Sequence, residues 1–114
     1  LIEDPKSDSA VVIAEARQHP IKALRIIDDG EGGQKLVTYS TGSGREVTPL
    51  ALQNYEKAYF RANIIACRRR VIFDTNSLTG DLVRFHIIPQ ERAVDIDNPI
   101  DFYVTEQLMK KSGE

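Results

Sequence analysis

The sequence has 114 residues, of which 41% are hydrophobic and 28% charged, and its net charge is −2. This is the size of one folded domain with an ordinary globular composition, which excludes a wholly disordered chain. Apolar runs span only a few residues, far fewer than the roughly 20 that a transmembrane helix needs, so we expect no membrane association. We expect one domain over residues 1–114, part of a longer protein, with residues 1–7 as a flexible arm.

The charges are distributed unevenly along the chain. Residues 1–56 carry six basic and nine acidic groups, a balance of −3, and residues 93–114 carry two and five, again −3. Residues 57–92 carry seven basic and three acidic groups, a balance of +4. The sequence therefore has a basic middle between two acidic ends, which is its clearest charge signal.

The first half of the chain predicts a helix followed by a hairpin. Ser7 or Asp8 is suited to cap a helix over residues 9–18, which Pro20 ends. The β-rich segment 21–27 and the alternating segment 35–41 flank a glycine-rich connection and predict two paired strands.

A long helix is predicted over residues 48–68. Thr48 is a favourable N-cap, and Pro49 suits the first helical position because it has no amide to leave unpaired. Apolar residues then recur at spacings of three and four, which is typical of one helix face against a core. This stripe comprises Ala51, Tyr55, Ala58, Ala62 and Ile65.

The last third predicts a hairpin and a closing helix. Segments 70–73 and 82–88 read as strands around a polar turn, and Asn98-Pro99 repeats the cap-plus-proline helix start. The predicted order is α-β-β-α-β-β-α. The fold class is α+β, with a small antiparallel sheet packed by the long central helix and two shorter terminal helices.

The basic middle supplies the candidate binding site. The helical repeat places the cations of segment 57–68 on one face of the predicted helix. The strand repeat places those of segments 70–73 and 82–88 on one face of the predicted strands. Guanidinium groups match phosphate and carboxylate geometry, so we expect nucleic-acid backbone or an acidic protein surface as the partner. A solvated basic face with no partner is the alternative. The predicted binding residues are Lys57, Arg61, Arg68, Arg69, Arg70, Arg84 and His86.

No catalytic, metal or cofactor set is identified in the sequence. His19 and His86 lie far apart, without ligand spacing around either. Cys67 is the only cysteine, so it forms no intramolecular disulfide and indicates a reducing, cytoplasmic location. A lone cysteine beside an apolar stripe is more often a small buried side chain than a nucleophile.

Three functions remain open from the sequence. The first is a non-catalytic binding module of a larger protein that uses the basic surface. The second is a protein-interaction or assembly domain, oligomeric or chaperone-like, with no nucleic acid. The third is an enzyme whose site the spacing does not reveal. We expect a binding protein rather than an enzyme, and a homo-oligomer is compatible with either binding reading.

Overall fold

The computed structural model describes residues 3–45 and 49–113. The chain divides into two compact units. The sheet unit comprises the described parts of Leu1–Glu15 and Tyr59–Glu114, and the hairpin unit comprises those of Ala16–Ala58.

Strands and helical segments alternate along the described chain. Short 3-10 turns cover Pro20–Lys22 and Gln90–Arg92. The strands are β1 (Ser9–Glu15), β2 (Leu24–Asp28), β3 (Gln34–Thr38), β4 (Tyr59–Cys67) and β5 (Val83–Ile87), and the helical segments are α1 (Pro49–Leu52), α2 (Arg69–Thr75) and α3 (Pro99–Ser112).

The sheet unit contains a three-stranded mixed sheet in the order β4-β1-β5. β1 is antiparallel to β4 and parallel to β5. Its β-branched run Val11 to Ile13 is flanked by small alanines, which suits a strand with neighbours on both sides. The pairing of β1 with β4 is irregular between Val11 and Ile13, where β4 contains extra residues.

Helices follow two of the strands in the sheet unit. α2 ends at Asn76, which adopts the left-handed conformation at φ 53°. α3 begins as its sequence predicts, because the Asn98 side chain accepts a hydrogen bond from the Asp101 amide and Pro99 occupies the first turn. Gly113 ends α3 at φ 81°.

The hairpin unit is built on the antiparallel pair of β2 and β3. Asp29 shapes the connecting turn, because its Oδ1 accepts hydrogen bonds from the amides of Glu31 at 2.7 Å and Gly33 at 3.1 Å. His19 lies beside Tyr55, with ring centroids 5.8 Å apart, and its Nε2 is 2.8 Å from the Glu56 carbonyl oxygen.

The predicted arrangement of three helices around an antiparallel sheet is wrong, although the class is α+β. The long central helix over 48–68 does not form. Thr48 lies outside the described residues, α1 covers Pro49–Leu52, and Tyr59–Cys67 is strand β4. Segment 59–67 favours extended backbone because it contains the aromatic and β-branched residues Tyr59, Phe60, Ile64 and Ile65. This preference, together with the pairing to β1, prevails over the helical spacing of the predicted apolar stripe.

Two shorter assignments are also corrected. Segment 9–18, predicted as a helix, contains strand β1, because its β-branched run pairs with strands from distant parts of the chain. Segment 70–73, predicted as a strand, lies in α2, where Val71 is buried. The hairpin over segments 21–41, the strand in segment 82–88 and the closing helix are confirmed.

The buried core is small. Among the described residues, its apolar members are Val11, Ala14 and Val71 in the sheet unit and Val37 in the hairpin unit. Contacts between elements in the described chain are concentrated within the two sheets. In that part of the chain, no helix has the length and apolar character needed to cross a membrane.

We predict that Gly80→Ala destabilises the sheet unit more than Gly113→Ala does. Gly80 has φ +66°, and an added Cβ would lie 2.7 Å from Asp8 Oδ2. Gly113 has a similar φ of +81°, but an added Cβ meets no described atom within 4 Å. The left-handed conformation alone costs an alanine about 1–2 kcal/mol at either position. Any additional loss of unfolding free energy in Gly80→Ala, measured by urea unfolding, therefore reports the contact with Asp8. Equal losses would contradict the close approach.

Candidate functional site

The predicted basic residues divide between the two units. Lys57 belongs to the hairpin unit. The other six belong to the sheet unit, where three of the arginines contact the segment from Asp4 to Asp8. We call these arginines and that segment the arginine clasp; its arginines are Arg68, Arg70 and Arg84.

Arg68 contacts the backbone of the segment directly. Its Nε donates to the Ser7 carbonyl oxygen at 2.7 Å, and its Nη2 donates to the Asp4 carbonyl oxygen at 3.0 Å. The Arg68 backbone amide also donates to the Asp8 carbonyl oxygen at 3.1 Å. Arg68, which follows β4, therefore binds the segment that precedes β1.

Asp8 connects the clasp to the loop that precedes β5. Its Oδ1 pairs with Arg70 Nη2 at 3.0 Å. Its Oδ2 accepts hydrogen bonds from the amides of Asp81 at 2.8 Å and Leu82 at 3.0 Å. In return, the Asp8 amide donates to the Leu82 carbonyl oxygen at 2.8 Å, which starts the parallel pairing of β1 with β5.

Arg84 completes the clasp from β5. Its Nε is 2.6 Å from Asp4 Oδ2, a short charge-assisted hydrogen bond. Neighbouring serines anchor the same region: Ser9 Oγ donates to the Thr79 carbonyl oxygen at 2.8 Å, and Ser7 is fully buried.

The two aspartates of the clasp have lowered pKa values. The amides of Leu82 and Asp81, and then Arg70, hold the pKa of Asp8 below its ordinary value of 3.8. The Arg84 side chain and the Lys6 amide do the same for the pKa of Asp4. Both carboxylates are therefore stabilised in their charged form by donors from this chain.

The remaining predicted residues of the sheet unit lie outside the clasp. Arg61 is exposed on β4 opposite Ile13, and His86 is exposed on β5 opposite Val12. Arg69 is exposed at the start of α2, where its Cζ lies 4.7 Å from the centre of the Phe73 ring. The basic binding surface stays a prediction; in the structure three of its members belong to the clasp, where Arg70 and Arg84 are still exposed, and the other four lie outside it.

An extensive apolar surface is the feature that sequence reasoning missed. Large apolar side chains on the strands are exposed: Phe60 is 61% exposed, Ile64 64% and Phe85 62%. α3 is exposed on several sides, and Phe102 and Met109 line a groove beside Ile96. The sequence signal for this surface was segment 59–67, which places apolar side chains on both faces of a strand. A sheet with only one buried face needs them on one face alone.

The described part of the chain holds no group of three or more His, Cys, Asp or Glu residues arranged to bind a metal ion. Cys67 is a free thiol, half-buried at the end of β4 opposite Ser9. Comparison of the sequence with protein-family models and with curated proteins gives no match. The surfaces described above therefore carry the functional argument.

We predict that acidification weakens the clasp. A carboxylate with a lowered folded pKa contributes stability that is present above its ordinary pKa and is lost as the pH falls through the folded value. The free energy of unfolding, measured with urea from about pH 7 down to about pH 2.5, should fall across and below the ordinary value of 3.8.

Asp8→Asn should be less stable than the natural protein at neutral pH and should lose less stability on acidification. Asp95→Asn is the matched control, an exposed carboxylate for which we find no hydrogen bond or ion pair within the described residues. An unchanged pH dependence in Asp8→Asn would contradict the role of this carboxylate.

Proposed function

We propose that this chain is a non-catalytic protein-assembly domain whose apolar surface is covered by other protein chains. One observation carries the proposal, the 9402 Å2 of surface that the single chain exposes. Large apolar side chains lie on this surface, among them Phe60, Ile64 and Phe85, and such exposure is typical of subunits and interaction domains rather than of independent monomers.

The exposed area is too large for a monomer even when the two units are treated separately. Independent globular proteins of about 8 and 5 kDa, the sizes of the two units, would together expose about 7,500 Å2. The excess is about 1,900 Å2. Obligate interfaces bury about 1,000–2,500 Å2 on each partner, so the excess matches one such interface.

The location of the apolar residues supports the same proposal. Most of them lie on strands and on α2 and α3, where regular backbone holds them; Tyr39, Tyr55, Leu78 and Ile96 lie between these elements. Ile100, Phe102 and Tyr103 occupy successive directions around α3 and are 72%, 58% and 66% exposed. A helix that is apolar on several sides is stabilised by burial against other protein.

The clasp also favours assembly over the basic-surface reading. Arg68, Arg70 and Arg84 bind acceptors within the chain, which leaves fewer of their N–H donors for an external phosphate. The free thiol Cys67 fits a cytoplasmic location, which we propose on that ground.

We predict that the protein at micromolar concentration, without nucleic acid, is larger than its 12.8 kDa monomer by light scattering. If it is a monomer, it should still unfold cooperatively and bind an apolar dye such as ANS, because its apolar surface is then the binding site of a different chain and is uncovered in the assay. A cooperatively folded monomer that does not bind the dye would contradict the assembly proposal.

The second candidate function is binding of nucleic-acid backbone or an acidic protein through the exposed cations. The observation that favours it is the pair of Arg69 with Phe73, whose ring is 70% exposed. A guanidinium stacked on an exposed aromatic ring is a surface on which nucleic-acid bases also stack. Arg61 and Lys57 are further exposed cations.

This candidate predicts salt-dependent binding to labelled DNA or RNA. Affinity measured by fluorescence anisotropy should fall about tenfold or more between about 50 and 200 mM salt. The double variant Arg61→Ala/Arg69→Ala should abolish binding without changing the thermal midpoint, whereas Arg92→Ala, an exposed arginine outside the predicted set, should have little effect. Absence of binding at the lower salt concentration would reject nucleic acid as the partner of these cations.

A further inference from the structure

β5 is an outer strand of the sheet, with β1 on one side and no second strand among the described residues on the other. Its pairing with β1 is continuous from Val83 to Ile87. No proline interrupts it; Pro89 follows the strand. An unprotected outer strand offers a row of backbone donors and acceptors to another strand.

The hydrogen bonds at the two ends of β5 fix the direction of its backbone groups. The Leu82 carbonyl oxygen accepts from the Asp8 amide, and the Ile88 amide donates to the Ile13 carbonyl oxygen at 2.9 Å. Backbone groups of successive strand residues point to alternate sides, so even-numbered residues of β5 face β1. Val83, Phe85 and Ile87 therefore direct their amides and carbonyls outward.

The side chains of these three residues share one face of the sheet. They lie opposite Ser9, Val11 and Ile13 of β1 in register. Phe85 is 62% exposed and Ile87 is 50% exposed, whereas Val83 is half-buried. The outer edge thus combines an apolar row with backbone groups that have no strand partner among the described residues.

We propose that β5 pairs antiparallel with β5 of a second copy of this chain, about a two-fold axis at Phe85, to form a six-stranded sheet. This inference rests on the proposed assembly function and names the partner and the surface. The two-fold axis sets Phe85 opposite itself and Val83 opposite Ile87 of the second copy. All three outward-directed residues then form hydrogen-bonded pairs, which makes the edge self-complementary.

The charges of β5 are compatible with this register. Arg84 lies opposite His86 of the second copy rather than opposite another Arg84. Asp4 already neutralises the Arg84 guanidinium within its own chain. The pairing therefore opposes no two arginines, and the aromatic and β-branched pairs on the other face favour it.

β4 is the other outer strand of this sheet, and it is less suited to the same contact. Its pairing with β1 is irregular between Val11 and Ile13. Irregularities of this kind bend a strand and are among the features that protect outer strands from pairing. The regular edge of β5 and the excess exposed area of about 1,900 Å2 together favour a second copy at β5.

Disulfide cross-linking tests the register. In the Cys67→Ser background, Phe85→Cys places two thiols on the axis with Cα atoms about 5.5 Å apart, within the range that a disulfide spans. His86→Cys is the matched control on the next exposed residue, since its two copies would be about 8 Å apart. Mild oxidation should give about tenfold more linked dimer for Phe85→Cys than for His86→Cys.

A pair of introduced opposite charges tests the same contact without removing Phe85. Ile87→Lys places a lysine opposite Val83 of the second copy and should weaken the dimer about tenfold or more by sedimentation. Val83→Glu/Ile87→Lys places each glutamate opposite a lysine and should restore the association. Circular dichroism melts confirm that each variant is folded.

Four outcomes separate the inference from the function on which it rests. Cross-linking at Phe85 with rescue by the charge pair supports the dimer. An oligomer that shows neither effect overturns pairing through β5 and leaves the assembly function standing. A folded monomer that binds ANS overturns the second copy but retains assembly with another chain, and a folded monomer that does not bind it overturns both.

Discussion

The carboxylate of Asp8 is the contact on which the arrangement of the sheet unit depends. It binds Arg70 through one oxygen and the amides of Asp81 and Leu82 through the other. β1 begins at the next residue and β5 begins just after Leu82, so this carboxylate aligns two strands that are distant in sequence. Gly80 permits the close approach, because a side chain at that position would overlap Asp8.

The alignment determines which surfaces remain for other molecules. Parallel pairing with β1 leaves β5 at the outside of the sheet, with Phe85 and Ile87 exposed on one face. The same clasp engages Arg68, Arg70 and Arg84 within the chain. The chain thus uses most of its clustered guanidinium groups for its own structure and exposes apolar side chains, a distribution that favours protein assembly.

Local signals in the sequence predicted the elements that depend on local contacts. The turn at Asp29, the cap at Asn98 and the strand near Phe85 form as expected. The errors concern segments whose partners are remote in sequence. β1 and β4 pair with each other although the hairpin unit separates them along the chain, and apolar residues at spacings of three and four suggested helices there instead. The intrachain role of Arg68 was also inaccessible, because its acceptors are backbone carbonyls, which no residue pattern identifies.

Hydrogen exchange of individual β5 amides, measured by NMR at a concentration where the protein is assembled, tests the central claim most directly. The amides of Arg84 and His86 face β1 and should be protected in any state of assembly. If a second copy covers the edge, the amides of Val83, Phe85 and Ile87 should be protected to a similar degree and should lose that protection on dilution. Rapid exchange of these three amides in the assembled protein, with Arg84 and His86 still protected, would contradict the account.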